Sequence, residues 1–185
     1  MNRTLAVSVS ATFVFVAIAG AALLSRGPSN KGSLGGPIRP KWTEVRWPFP
    51  VDPWGKGKAF QCKAVDCGSE VRVYVRAKLG FCNCATGVAD DGDLEQMGDL
   101  ALIGNATPIG AGKEIIVGPM RGRSRTYRVE RNSKTALSLA FNQRCDMVAA
   151  TALVGPGEPA SLEPAVLAFL NSDRILKWAE IALGL

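Results

Sequence analysis

The chain has 185 residues, 47% of them hydrophobic and 21% charged, with a formal net charge of +6 and no histidine. That length suits one folded domain plus an appendage, and the lack of histidine removes the commonest general base, the commonest transition-metal ligand and any C-x-x-C-H haem attachment. The charge is uneven: from Ala59 onward fourteen basic residues balance fourteen acidic ones, so the folded part is neutral and nucleic-acid binding by a basic domain is not expected.

The first element is an uncharged run of twenty residues, Leu5 to Leu24, preceded by Arg3. As a helix this length spans the roughly 30 Å core of a bilayer. The small residues Ala17-Ile18-Ala19 and Ala19-Gly20-Ala21 equally fit a secretory cleavage site. Arg26, Lys31, Arg39 and Lys41 flank the distal end, which opposes export under the positive-inside tendency. The cysteines decide between these signals. All five, Cys62, Cys67, Cys82, Cys84 and Cys145, fall in the neutral part, a density that suits an oxidising compartment. The expectation is a single-pass protein of a bacterial-type inner membrane, anchored in the lipid bilayer through Leu5 to Leu24 with its domain in the periplasm. The alternative is a periplasmic protein released by signal cleavage. The organisation read from this is an anchor or signal over residues 1–25, an extended arm over 26–58 and a disulfide-containing domain over 59–185.

The arm is rich in glycine and proline, including Gly35-Gly36-Pro37 and Trp47-Pro48-Phe49-Pro50, and such a stretch runs extended. It also carries Trp42, Trp47, Phe49 and Trp54, which a passive tether avoids because nothing repays their exposure. Three readings follow: the arm packs across the domain's own surface, docks on another protein, or lies at the lipid interface.

The cysteines themselves admit several chemistries. Two disulfides with one spare thiol are expected, with a short Cys62–Cys67 loop and Cys145 tied to Cys82 or Cys84. A zinc site would combine Cys62-x4-Cys67 with Cys82-x-Cys84, although cysteines one residue apart chelate awkwardly. A redox pair at Cys82-Asn83-Cys84 would need a lowered thiol pKa.

Within the domain, Glu70 to Lys78 alternates Val71, Val73 and Val75 with Arg72, Tyr74 and Arg76, a strand with one core face and one wet face. Asp90, Asp91, Asp93 and Glu95 precede Leu94, Met97 and Leu100 as an acidic helix start. An EF-hand loop counted from Asp91 would need glycine where Gln96 stands. Gly104 to Gly112 reads as a loop and Glu114 to Val117 as a strand ended by Gly118-Pro119. Gly110-Ala111-Gly112-Lys113 resembles a phosphate loop but has Thr107, Glu114 and Ile115 at the decisive positions, so no nucleotide is expected. From Arg121 to Lys134, Arg121, Arg123, Arg125 and Arg128 recur with no apolar side, which reads as an edge strand or exposed hairpin. The remaining possibilities for this basic run are an acidic partner, the nearby acidic loop Asp90 to Asp99, and anionic lipid. Ala136 to Phe141 and Met147 to Val154 read as core strands around Asn142-Gln143-Arg144, with Cys145 at the hairpin mouth. Ser161 starts one helix that runs through Leu170, and Ser172 starts a second that Gly184 ends.

The fold class expected is α+β: an antiparallel sheet of about four or five strands covered by two C-terminal helices. No Ser-x-x-Lys stretch sits at a strand-to-helix junction. The functional expectation is a non-catalytic accessory or assembly subunit of a membrane protein complex, without a cofactor, with Trp42, Trp47, Phe49, Trp54, Arg121, Arg123, Arg125 and Arg128 as partner contacts. The alternative is an envelope thiol-redox or metal-binding protein acting through Cys82 and Cys84.

Overall fold

A computed structural model describes residues 40–80, 83–130, 134–155 and 162–185. The run Leu5 to Leu24, Cys82 and the helix-starting Ser161 lie outside these residues. Among the described residues no helix is long and apolar enough to cross a membrane.

The described residues fold as one seven-stranded antiparallel sheet with strand order β1-β2-β3-β7-β6-β5-β4 and four short helices. This corrects the expected sheet of four or five strands. The extra strands come from places where apolar alternation is missing. β1 (Trp42–Val45) and β2 (Lys58–Cys62) are only four and five residues long and emerge from the Pro/Gly-rich arm. β4 (Ala106–Val117) absorbs most of the stretch read as a loop, its ladder shifting register between Ile109 and Lys113 to accommodate Gly110 and Gly112. β4 and β5 (Met120–Val129) are joined by Gly118-Pro119, where Gly118 takes φ 57° and proline supplies the next, fixed φ, a turn whose twist matches the strands.

β5 is a second correction. It lies inside the sheet between β4 and β6, not at its edge. One side of β5 carries Gly122 and Ser124 beneath Phe141 and Leu139 of the neighbouring strand, so small residues stand in for apolar ones. The opposite side is satisfied by ion pairs described below.

β3 (Val71–Lys78), β6 (Lys134–Gln143) and β7 (Asp146–Val154) form the centre. Their alternation sorts the sheet into two covered faces. On the first, Val73, Val75, Leu139, Phe141 and Val148 lie under α3 (Leu162–Leu170) and α4 (Asp173–Leu183), which contribute Val166, Leu170, Ile175 and Ala179, all buried. Burial of this kind contributes about 25 cal/mol per Å² of apolar surface and is the main stabilising term. Ser172 occupies the N-cap position of α4 without a side-chain capping bond, and Gly184 closes the helix in the left-handed conformation. The second face carries α2 (Asp91–Met97), whose Leu94 and Met97 pack on Ala140, Met147 and Ala149. The short α1 (Ala64–Cys67) follows β2, and a 3-10 turn, Leu100–Ile103, packs with Tyr127 and Ala136.

β3 supplies a third correction. The sequence pattern makes its second side wet, yet Tyr74, Arg76 and Lys78 are buried there. The cover is the segment Arg46 to Trp54, crossing the sheet after β1.

Candidate interaction surface

The aromatic arm folds onto the domain itself. Trp42 on β1 stacks on Phe169 of α3 with ring centroids 4.4 Å apart. The chain then crosses to the opposite face, where Trp47 and Phe49 meet Tyr74 at 6.1 and 4.8 Å. Gly57 permits this approach, because a Cβ there would collide with the Val75 carbonyl and the Trp47 ring. A tight turn follows in which the Trp54 N–H donates to Asp52 Oδ1 at 2.9 Å and Gly55 N–H to the Asp52 carbonyl at 2.8 Å.

Under the arm lies a buried charge network. Arg76 donates through Nε (2.9 Å) and Nη2 (2.5 Å) to Asp99, and through Nη1 to Asp52 at 2.5 Å. Lys78 Nζ stands 3.0 Å from Asp99 Oδ1 and donates to the Met97 carbonyl at 2.7 Å. Trp47 and Trp54 lie 6.0 and 5.8 Å from the two cations. Burial alone would push the Arg76 pKa down, but Asp99 and Asp52 outweigh it and raise it. Two cations facing two carboxylates make a neutral, satisfied cluster that fixes the arm, β3 and the end of α2 to one another.

The arginine strand is used in the same manner. Asp90 caps α2, its Oδ1 accepting the Asp93 N–H at 2.9 Å, while Asp93 accepts the Ala89 N–H at 3.0 Å. This sets Asp91 and Glu95, one turn apart, against β5. Arg123 donates to Asp91, and Arg125 lies 2.8 Å from Glu95 and 3.5 Å from Asp91. Asp91 also accepts the Gly112 N–H at 2.9 Å, holding down the β4 irregularity. Arg121 and Arg128 project to solvent from opposite faces of the sheet.

The eight residues proposed from sequence therefore do not converge. The arm occupies the β1 end and the arginines the β4 end, and five strand spacings of about 4.8 Å separate β1 from β5.

A buried serine, Ser124, donates to Glu163 of α3, which also accepts from Lys113 at 2.9 Å. Ser124 is 1% exposed and faces a helix, so this trio fastens α3 to the sheet and offers no accessible nucleophile.

Four carboxylates are held below their ordinary pKa. Hydrogen bonds from Lys58 to Glu44, from Arg76 to Asp52 and from the Gly112 N–H to Asp91 are the leading causes; for Glu163 burial opposes, and Ser124 and Lys113 overcome it. Groups with lowered native pKa contribute stability that is complete above the ordinary carboxylate range and lost as pH falls from there through the lowered native values. Urea midpoints are thus expected to stay level at neutral pH and to drop as pH descends through that range; a midpoint that rises on acidification would contradict these pairings.

Sequence reasoning missed Asn171, between α3 and α4. Its Oδ1 accepts the Gly118 N–H at 2.8 Å and its Nδ2 donates to the Ile116 carbonyl at 3.4 Å, so one side-chain amide gives the edge strand what a further strand would otherwise give. Arg123 and Arg125 similarly donate to the carbonyls of Gly112 (3.2 Å) and Gly110 (2.9 Å), and Pro108 has no N–H to offer. These devices occupy part of the β4 edge and oppose strand addition there. Asn171→Ala is expected to cost about 1–2 kcal/mol and to raise aggregation, measured by light scattering during thermal unfolding; unchanged stability and scattering would show that the cap is idle.

One disulfide is a local staple and the other joins distant parts of the chain. Cys62 and Cys67 close α1 onto β2, and Cys84 bonds Cys145 across a sequence separation of 61, tying the turn after β3 to the β6–β7 hairpin. That turn is further fixed by the Val88 N–H donating to Asn142 Oδ1 at 3.2 Å and Ala85 N–H to Asn83 Oδ1 at 2.9 Å. Between it and the β4–β5 hairpin runs a groove of about 550 Å³ lined by Val88, Glu114, Ile116, Arg121 and Asn142 among others. Ile116 is 66% exposed, and Arg121 has no ion-pair partner among the described residues. No group of three or more histidine, cysteine or acidic side chains suited to a metal occurs among the described residues. The chain matches no known protein family, and no curated protein is significantly similar to it in sequence.

Proposed function

We propose that this chain is a non-catalytic accessory or assembly subunit of a membrane-bound complex, attached through Leu5 to Leu24 and displaying its domain on the periplasmic side of a bacterial-type inner membrane. The Cys84–Cys145 bridge is the observation that carries this reading. A bridge of this kind persists in an oxidising compartment. It also engages one of the two sulfur atoms on which a Cys82–Cys84 thiol or metal site would depend, and it holds one wall of the groove beside β4 and β5. Ile116 and Arg121 give that groove an apolar and a cationic contact for a segment of the partner. The interior charges, by contrast, are spent on holding the domain together.

The test compares two full-length variants in native membranes solubilised with mild detergent and resolved on a native gel. Ile116→Asp/Arg121→Glu is expected to drop from a high-mass assembly to the free chain, while Cys82→Ser stays in it. The reverse pattern would overturn the accessory reading in favour of thiol chemistry.

A further inference from the structure

The sequence from Pro40 to Lys63 holds five cations against two carboxylates. Both carboxylates are occupied. Glu44 accepts from Lys58 at 2.9 Å and from Arg174 at 2.5 Å, and Asp52 is taken by Arg76. Lys41, Arg46, Lys56 and Lys63 are exposed and have no ion-pair partner among the described residues. Asp66 follows Lys63 on α1 and offsets part of its charge.

Strand pairing concentrates this surplus. β1 and β2 pair from Trp42 opposite Cys62 to Val45 opposite Ala59. Continued by one residue at each end, this register sets Lys41 beside Lys63 and Arg46 beside Lys58. Like charges opposed on neighbouring strands destabilise a sheet. At the Arg46 end Glu44 neutralises Lys58, so Lys41 and Lys63 at one end and Arg46 at the other remain as a positive strip along the free β1 edge. Val45, the last residue of β1, lies within it and is 36% exposed.

We infer that the β1–β2 edge docks the domain on an anionic bilayer, its cations reading phosphate headgroups. The occupant is argued from the chain itself. Fifteen residues separate Leu24 from Pro40, a reach of about 50 Å when extended. On the attachment reading above, on which the choice of a membrane rests, the strip is held within reach of lipid whenever the domain is displayed. Trp42, Trp47 and Phe49 are packed on the sheet, so docking is electrostatic and not by aromatic insertion. Each exposed cation is worth about five-fold in affinity for an anionic surface, and salt weakens the sum.

The full-length chain is reconstituted into vesicles of phosphatidylcholine alone, or with phosphatidylglycerol added, both carrying a dansyl-labelled headgroup. Vesicles are sedimented and tryptophan-to-dansyl energy transfer is read from the pellet. Transfer is expected to be stronger with phosphatidylglycerol. It should fall to the phosphatidylcholine level in high salt and in Lys41→Glu/Arg46→Glu/Lys56→Glu/Lys63→Glu. Lys41→Gln/Lys63→Gln, which keeps the strands and removes one like-charge pair, should lose part of the gain. Equal transfer in both vesicle types, with the chain in both pellets, would overturn the docking surface and leave the attachment intact. A chain that stays in the supernatant of both would overturn the two together.

Discussion

Asp99→Ala will destabilise the fold by about 3–5 kcal/mol, the cost of removing one partner from a buried ion-pair network. Asp99 is 5% exposed and takes two hydrogen bonds from Arg76 while standing 3.0 Å from Lys78. Its loss takes from these two cations, 3% and 4% exposed, a carboxylate that both contact, with Asp52 still paired to Arg76. Because Asp52 belongs to the arm and Asp99 to the link between α2 and the 3-10 turn, the defect spreads to both coverings of that sheet face. Joint replacement, Arg76→Met with Asp99→Leu, should recover much of the loss, since apolar side chains of similar volume often match a buried ion pair. Urea unfolding of the solubilised full-length chain measures both. A single variant within about 1 kcal/mol of wild type would mean the cluster is screened by water like a surface pair.

Breaking the Cys84–Cys145 bridge by Cys84→Ala/Cys145→Ala will cost about 4 kcal/mol, against about 2 kcal/mol for Cys62→Ala/Cys67→Ala, from loop closure in the unfolded chain. The difference follows from sequence separations of 61 and 5. The first pair also loosens the wall of the proposed groove, so its loss should weaken partner retention more than its stability cost alone explains. In the unreduced protein an alkylating reagent should modify a single cysteine, Cys82. Modification at Cys84 or Cys145 without reductant would contradict the bridge.

Much of the central sheet could be read before folding was known. β3 alternates valine with polar residues, the period of a strand with one core face, while β6 and β7 are near-continuous apolar runs, as strands covered on both faces require. The helix over Asp173–Leu183 showed its apolar stripe and closing glycine. Illegible elements share one cause: their cores are polar or supplied from afar. β5 lacks an apolar side because Arg123 and Arg125 are neutralised by Asp91 and Glu95, 32 and 30 residues away. The one-turn spacing of those carboxylates on α2 was a signal in the sequence, but nothing local pointed it at β5. The upper half of β4 looked like a loop because Gly110 and Gly112 serve a register shift. Arg76 and Lys78 gave β3 a wet face only until the arm covered them, and Asp52, 24 residues from Arg76, carries no local mark of that pairing. The aromatic arm was conspicuous in composition, and tertiary packing decided where its rings went.

The measurement that bears most directly on the function is purification of the tagged full-length chain from its native membranes in mild detergent, with the mass and stoichiometry of the eluted assembly determined. The account predicts one membrane protein bound near one-to-one, absent from the Ile116→Asp/Arg121→Glu preparation. A solitary, processed and soluble chain would contradict it.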